Sequence, residues 1–398
     1  MDQLRAWRHF DYALLVVTAL LAAYGVLMIY SANLGSLDPD LQDLWRRQAI
    51  FAAVGVGLIF LLAAFPRDYH WLGDFWWLAY LLIVVLLVLV YFFGSSEIGE
   101  VSGWLDLGFF QFQPSFLAMN LLIISVGAVL GRQRKRRGST RPPLFGAPKT
   151  SLAETTVERP ELSTYLASIV MTLVPAALIF LQPDMATAAV LVFMWMAMLF
   201  ESDVPLRFLV FTGLLGVGSL VPIWDLMARY PYMRRRVFGF VNPESDPNVK
   251  YQLEQAFIAI GSGGLWGKGL AQGTQSQLRY LPVRHTDFIF AVIAEELGYA
   301  GVMLLFALYL VLFFRLLRII LVASDIYGRL LVTGTLAMIL FQFIVNVGMN
   351  LGLLPVAGLP LPLVSYGNSA LLTTMIGIGI AENVAMRQGG SRGTKLEF

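Results

Sequence analysis

The chain has 398 residues, no cysteine and a formal net charge of +2, and it is 58% hydrophobic but only 14% charged. Soluble domains carry about a quarter charged residues, so this much apolar chain exceeds what one water-soluble core can hide. The lack of cysteine excludes disulfides, thiolate metal sites and cysteine nucleophiles, and the small net charge gives no reason to expect a nucleic-acid partner.

A hydrocarbon layer about 30 Å thick takes about 20 apolar residues per helix, and runs of that length recur along the chain. The first, 12–32, follows Arg5, Arg8 and Asp11 with no small-residue cleavage site behind it, and so reads as an anchor and not a removed signal peptide. Further spans are expected at 48–65, 75–93, 114–131, 163–181, 185–200, 206–224, 287–314, 329–352 and 369–386. The expectation is an all-α integral membrane protein of about ten transmembrane helices, forming a single domain over 1–390, with 391–398 a tail outside it. An even count puts both termini on one side. Lys and Arg gather there, with eight between Arg132 and Arg159 and others at Arg5, Arg8, Arg67, Arg207, Arg315, Arg318, Arg329, Arg387, Arg392 and Lys395. The short loops opposite hold only Arg46 and Arg47, so both termini are expected in the cytoplasm.

Two polar segments interrupt the pattern. Residues 132–162 open with Arg132, Arg134, Lys135, Arg136 and Arg137, continue rich in Pro, Gly, Ser and Thr, and read as a cytoplasmic loop beside anionic lipid. Residues 225–286, between the seventh and eighth spans, form a large extracytoplasmic loop far longer than a connection requires, which points to function. This loop sets Arg229, Arg234, Arg235, Arg236, Lys250, Lys268, Arg279 and Arg284 against Asp225, Glu244, Asp246 and Glu254. Such an excess of cations suits a pyrophosphate headgroup, although the loop by itself slightly favours unspecific attraction to anionic lipid. Tyr251, Phe257, Ile258 and Ile260 mark an apolar face for a helix at the membrane interface. The glycines of 261–269 resemble a phosphate loop superficially, but Gly269 stands where a nucleotide loop needs Ser or Thr and Ser262 where it needs Gly. Both an anion-approaching backbone and a flexible turn remain open for them.

Asp287 follows His285-Thr286 and opens an apolar run, where desolvation would make its carboxylate a stronger base, while position alone suits a helix N-cap. Glu295 and Glu296 lie about two turns further on, where a charge is costly unless at least one faces a polar cavity. Gln182-Pro183-Asp184 breaks the chain between two short spans, as a pocket wall or an ordinary turn. Asn346 and Asn350 share one helical face and are expected to bond neighbouring helices rather than substrate. His9, His70 and His285 are far apart and form no zinc motif. One outer carboxylate with cations suits inverting glycosyl transfer better than hydrolysis.

The stretch from Arg236 to Gly298 resembles the SEDS (shape, elongation, division and sporulation) family of peptidoglycan polymerases, the RodA-like elongation branch more than the division branch. The matching text includes Asn242 to Pro247, Ile258 to Gly264, Gly267-Lys268-Gly269, Gly273 to Leu278, Arg284 to Ala291 and Ala294 to Gly298. Weaker matches at Met28 to Ala32, Trp104 to Ser115, Gln182 to Asp184 and Leu353 to Tyr366 extend it over nearly the whole chain outside 132–162. The resemblance implies a multi-pass protein of the bacterial cytoplasmic membrane that polymerises lipid II, with Asp287 at the family's catalytic position. It implies Arg236, Lys268 and Arg284 as stabilisers of the departing pyrophosphate, and Gln275, His285, Trp104, Gln182, Asp184 and Ser365 as further substrate contacts. A class B penicillin-binding protein is the implied partner, beside membrane lipid. A divalent cation would be compatible with the chemistry, but no ligand set is legible. A lipid-linked-precursor flippase and a noncatalytic scaffold are the rival readings. The chain also departs from the family pattern: Phe116 and Met119 stand where Glu and Lys are usual, Gly103 where Arg is, and Asn368 where Gly is.

Overall fold

The computed structural model describes residues 7–35, 38–65, 68–94, 103–106, 108, 111–135, 162–202, 204–227, 231–242 and 246–387. Most of the 132–162 loop, part of the Asn242–Pro247 motif and the 391–398 tail lie outside them. The helices that build the fold and the site are α1 (Tyr12–Asn33), α2 (Leu44–Ala64), α3 (Trp76–Phe93), α4 (Pro114–Lys135), α5 (Leu162–Leu181), α6 (Met185–Glu201), α7 (Leu206–Met227), α8 (Pro231–Val241), α9 (Pro247–Ser262), the one-turn α10 (Thr274–Gln277), α11 (Ile289–Val322), α12 (Ile326–Asn350) and α13 (Asn368–Met386). Eight of them, α1 to α5 and α11 to α13, are long and apolar enough to cross a membrane among the described residues, while α6 and the Arg207–Gly218 part of α7 are shorter apolar helices. The single sheet among the described residues is an antiparallel ribbon of β1 (Leu105–Asp106) and β2 (Gln111–Phe112).

Aspartates start several helices by accepting from backbone N–H groups their first turns leave unpaired: Asp11 from Leu14 at 3.1 Å, Asp184 from Thr187 at 3.1 Å, and Asp325 from Gly328 at 2.8 Å. In the packed bundle α13 lies along α2 and α12 along α6, while α1 runs against α11. α4 and α13 are enclosed almost completely, whereas α3 leaves Leu81, Val85, Leu89 and Phe92 exposed. Lipid tails are as apolar as leucine, so such exposure carries no penalty in a bilayer.

The end of the bundle at which α1 begins is fixed by polar ties. Arg315 forks onto Asp11, whose N–H donates to Glu382 at 2.9 Å. Nearby in the α2–α3 connection, His70 bridges Asp68 at 2.5 Å and Asp325 at 3.1 Å, and the Tyr69 hydroxyl also donates to Asp325.

The span expected at 287–314 differs most from what forms. α11 begins at Ile289, runs to Val322, and is broken at Gly298, whose φ of 64° and ψ of −161° are not helical. Every side chain from Ile289 to Glu296 is buried, whereas Tyr299, Met303, Leu304 and Leu310 beyond the break are exposed. The expected span therefore joins two pieces: an enclosed half-helix and a long apolar helix.

Candidate active site

The glycine-rich stretch before α11 explains the break. In an unbroken helix the carbonyls of Glu295 and Glu296 would accept from Tyr299 and Ala300. Instead they accept from the N–H groups of Lys268 at 3.0 Å and Gly269 at 2.9 Å, while Tyr299 and Ala300 donate to the carbonyls of Gly264 at 2.9 Å and Leu265 at 3.1 Å. The loop thus substitutes for the missing turn of helix, bond for bond. Contact this close demands glycine on both sides: a Cβ on Gly298 would lie 2.3 Å from the Gly267 nitrogen, and one on Gly267 would lie 2.1 Å from the Glu296 carbonyl oxygen. Both residues hold positive φ. The stretch therefore serves as a splint for a broken helix.

The adjacent carboxylates secure the splint. Glu295, with no exposed surface, accepts from Lys268 Nζ at 2.8 Å, the Thr274 hydroxyl at 3.1 Å, and the N–H groups of Gln275 at 2.9 Å and Ser276 at 3.2 Å. Glu296 accepts from the Ser31 hydroxyl of α1, the Ala271 N–H at 3.3 Å and the Ser276 hydroxyl at 3.1 Å. Two acids at a depth where charge is costly are accommodated because the polar loop folds down over them.

The half-helix points its N-terminal end at Asp287. This residue is not the cap: Phe288 occupies that position, and no side-chain cap bond forms. The capping alternative for Asp287 therefore falls, since the helix begins one residue too late for its carboxylate to serve. Three successive carbonyls hold the segment in place. Tyr366 donates its N–H to His285 at 2.9 Å, Ser365 its hydroxyl to Thr286 at 2.6 Å, and Asn346 and Asn350 their amides to Asp287 at 3.1 and 2.9 Å.

Around Asp287 the charge environment is asymmetric. Burial pushes its carboxyl above the ordinary carboxylate range, opposed by the Arg236 charge and the Thr286 hydroxyl. Asp184, at the start of α6, is also raised by burial and also opposed by Thr187 and Arg236, and it accepts from the Gln113 amide at 3.2 Å. One guanidinium, carried on α8, therefore acts on two carboxylates from distant parts of the chain. It rests against Gly358, where a Cβ would come within 3.1 Å of Nη1.

The other expected contacts distribute unevenly. His285 sits against Tyr366, and burial together with Arg284 pushes its imidazole down to about 4, so it is neutral at physiological pH. Arg284 is buried with its Nε on the Ala32 carbonyl at 2.8 Å, tying the segment to the end of α1. Lys268 and Gln275 belong to the Glu295 cluster, and the Gln275 side-chain oxygen is buried with no hydrogen-bond partner. Gln182 is buried and donates to the Leu87 carbonyl in α3 at 3.0 Å, outside the Asp287 group. Trp104 is half-buried at the start of the β-ribbon. The splint and the Gly358 seat for Arg236 escaped the sequence reading. Gly298, alone within an apolar run, was the one available signal for the break. Asn346 and Asn350 bond across to the Asp287 and Leu359 carbonyls, which lie in non-helical segments and not in the neighbouring helices expected.

Comparison with known proteins adds the family. The model of the cell cycle protein family of FtsW, RodA and SpoVE matches residues 12–389. This chain belongs to that family. Among curated relatives of this SEDS member, the peptidoglycan glycosyltransferase MrdB of Escherichia coli K12 is 36% identical over 381 residues, covering 94% of this chain and 93% of the relative. Among solved structures, a chain of a peptidoglycan synthase complex that coordinates polymerization and crosslinking matches with a TM-score of 0.73 at 31% identity, over 95% of this chain and 98% of that one. The rod shape determining protein RodA of Thermus thermophilus matches with a TM-score of 0.65 at 30% identity, over 94% and 96%. In this SEDS chain Phe116 and Met119 of α4 are both in the core, with the Gln342 amide 3.4 Å from the Met119 sulfur.

Proposed function

We propose that this SEDS chain is a peptidoglycan glycosyltransferase that polymerises lipid II, with Asp287 as the general base. The observation that carries the reading is the seat of Asp287: a largely enclosed carboxylate, its backbone pinned by three consecutive carbonyls, within the field of Arg236. The GlcNAc 4-hydroxyl of one lipid II attacks the MurNAc anomeric carbon of another. Its proton passes to the Asp287 carboxylate as the new C–O bond forms. The bond from the anomeric carbon to the pyrophosphate oxygen breaks, undecaprenyl pyrophosphate leaves with the electron pair, and configuration inverts. Burial gives Asp287 a higher proton affinity than a solvated carboxylate, while Arg236 favours the ionised form that can accept the proton. Arg236 is also the cation placed to offset charge growing on the departing pyrophosphate, as preorganised charge does most where water is excluded. Lys268 and Arg284 are assigned to the scaffold, because each already holds a buried acceptor.

The names of the relatives support the transferase activity, and the distribution of Lys and Arg supports an outward-facing Asp287 with both termini in the cytoplasm. The likeness to a chain of a synthase complex supports a crosslinking partner, a class B penicillin-binding protein. The test is purified protein with labelled lipid II: glycan polymer is expected. Translocation without polymer would assign the flippase reading, and neither activity, with or without the partner present, would assign the scaffold.

A further inference from the structure

The Asp287 carbonyl lies one residue before the N-cap of α11, upstream of the first carbonyl that the helix itself engages. It is met instead by two side-chain amides, Asn346 Nδ2 at 3.1 Å and Asn350 Nδ2 at 2.9 Å, from one face of α12. Asn346 donates a second bond to the Leu359 carbonyl at 2.8 Å, and Asn350 one to the Asn346 carbonyl at 2.9 Å, so both N–H groups of each amide are used. Both asparagines are fully buried, and the Oδ1 of each has no hydrogen-bond partner. An unpartnered buried acceptor lowers stability, and two together at this position are hard to account for by packing alone. What the pair does achieve is to fix the orientation of one peptide group, the one that carries the carboxylate.

We propose that Asn346 and Asn350 are positioning residues for Asp287, clamping its carbonyl from α12 so that the carboxylate is held toward the reacting hydroxyl and away from bulk water. The inference rests on the reading of Asp287 as the base. Its physical basis is that a base misplaced by about 1 Å can lose about 10²-fold in rate without losing substrate affinity. Four helical residues separate the two amides, so they approach the carbonyl from adjacent turns, and the carbonyl cannot rotate without breaking both bonds.

The test is the full chain in detergent or bilayer, with polymerisation of labelled lipid II followed against pH and melting temperature taken on the same samples. Asn350→Ala is the decisive variant, because among the described residues its one inter-segment bond is to Asp287; Asn346→Ala, which also frees the Leu359 carbonyl, is the second. Asn350→Leu keeps the approximate shape, adds no charge and removes the donors. In each, kcat is expected to fall about 10-fold or more while KM for lipid II stays within about 2-fold. The pH profile supplies the reading that a merely structural role would not move. Asp287 must be ionised to act, so the rate falls as pH drops through its raised pKa. A loosened Asp287 gains water, its pKa drops, and the acid limb moves to lower pH. Arg236 from α8, whose charge acts on Asp287, is unchanged in these variants, as are the other charged and titratable groups of the region: Asp184, which shares Arg236, Arg284 and His285 just before Asp287 in the chain, and Tyr366 against His285. Unchanged kcat in Asn350→Ala, or a fall in kcat with the acid limb unmoved, overturns the inference. Asp287→Asn serves as the control: full activity there removes the base itself, whereas an inactive Asp287→Asn beside a fully active Asn350→Ala removes only the clamp.

Discussion

Lys268 separates two accounts of the 225–286 connection, as a pyrophosphate clamp or as a structural tie, and Lys268→Met decides between them. Its Nζ lies 2.8 Å from Glu295 and 2.8 Å from the Thr274 hydroxyl, and Glu295 has no exposed surface. Removing one partner of a buried ion pair typically costs about 3–5 kcal/mol, because the remaining charge is left uncompensated. Here the loss is softened by three neutral donors that stay on Glu295, the Thr274 hydroxyl and the N–H groups of Gln275 and Ser276. With those retained, about 2–3 kcal/mol is the expected loss. Thermal unfolding in one detergent, with lipid II turnover per folded molecule measured well below the transition, reads both quantities. The structural account expects a clear fall in melting temperature with turnover within about 3-fold of wild type, as for a group acting at a distance from the reacting atoms. An ammonium that held pyrophosphate would instead give an unchanged melting temperature and a turnover loss that varies with salt. A Lys268→Met protein as stable as wild type would refute the structural tie.

Asp287→Asn should cost about 10²–10⁴-fold in polymerisation, the usual worth of general-base assistance, with little change in melting temperature, since Phe288 and not Asp287 is the cap; near wild-type polymer yield would end the base assignment. Gly298→Ala forces a Cβ to within 2.3 Å of the Gly267 nitrogen and places it in backbone geometry that only glycine readily adopts. That geometry alone costs about 1–3 kcal/mol, and the clash with backbone adds to it, so both melting temperature and turnover should fall; an unaffected melting temperature contradicts the splint. At the opposite end of the bundle, the hydrogen bonds to Asp325 and Asp68 raise His70 to about 9 against some opposing burial, and Asp325 is held near 2 because those from His70, Tyr69 and Gly328 outweigh its burial. His70 therefore stabilises fully below its unfolded value of 6.5 and loses that contribution as pH rises through about 9, while the Asp325 contribution fades only as pH falls through about 2. After allowance for the exposure of His70, His70→Gln should cost about 1 kcal/mol near pH 6 and little above pH 9.5, read from melting temperature at the two values; a deficit that grows with pH refutes the sign.

Much of the architecture was legible because membrane helices announce themselves by length and apolarity, which is why each expected span falls on a helix. The failure at 287–314 is instructive. Hydropathy cannot distinguish an enclosed half-helix from a membrane-facing one, as both are apolar throughout, and only Gly298 hinted at the division. The site was legible in part. Asp287, Asp184 and Arg236 were singled out separately by their chemistry, but that one guanidinium acts on both carboxylates depends on tertiary placement across 52 residues of chain to one side and 51 to the other. The structural partners of Lys268 and Arg284 were not legible for the opposite reason. A cation near a membrane surface suggests an anionic ligand, yet the acceptors that claim these two, the Glu295 carboxylate and the Ala32 carbonyl, come from elsewhere in the fold.

The replaced charge pair on α4 fits this division between scaffold and site. The family resemblance leads to an expectation of Glu and Lys where this chain has Phe116 and Met119, and both of these residues lie in the packed core. Removing a buried ion pair as a unit in favour of well-packed apolar side chains is often neutral or stabilising, whereas losing one member alone is severe. A joint change is therefore expected to leave the fold intact. The Gln342 amide now lies against the Met119 sulfur, a weak acceptor, at 3.4 Å. One turn after Gln342 on the same helix stands Asn346, on the Asp287 carbonyl. Met119, from α4, thus meets α12 one helical turn before Asn346, and a change in its packing is expected to reach Asp287 through α12 and not by direct contact.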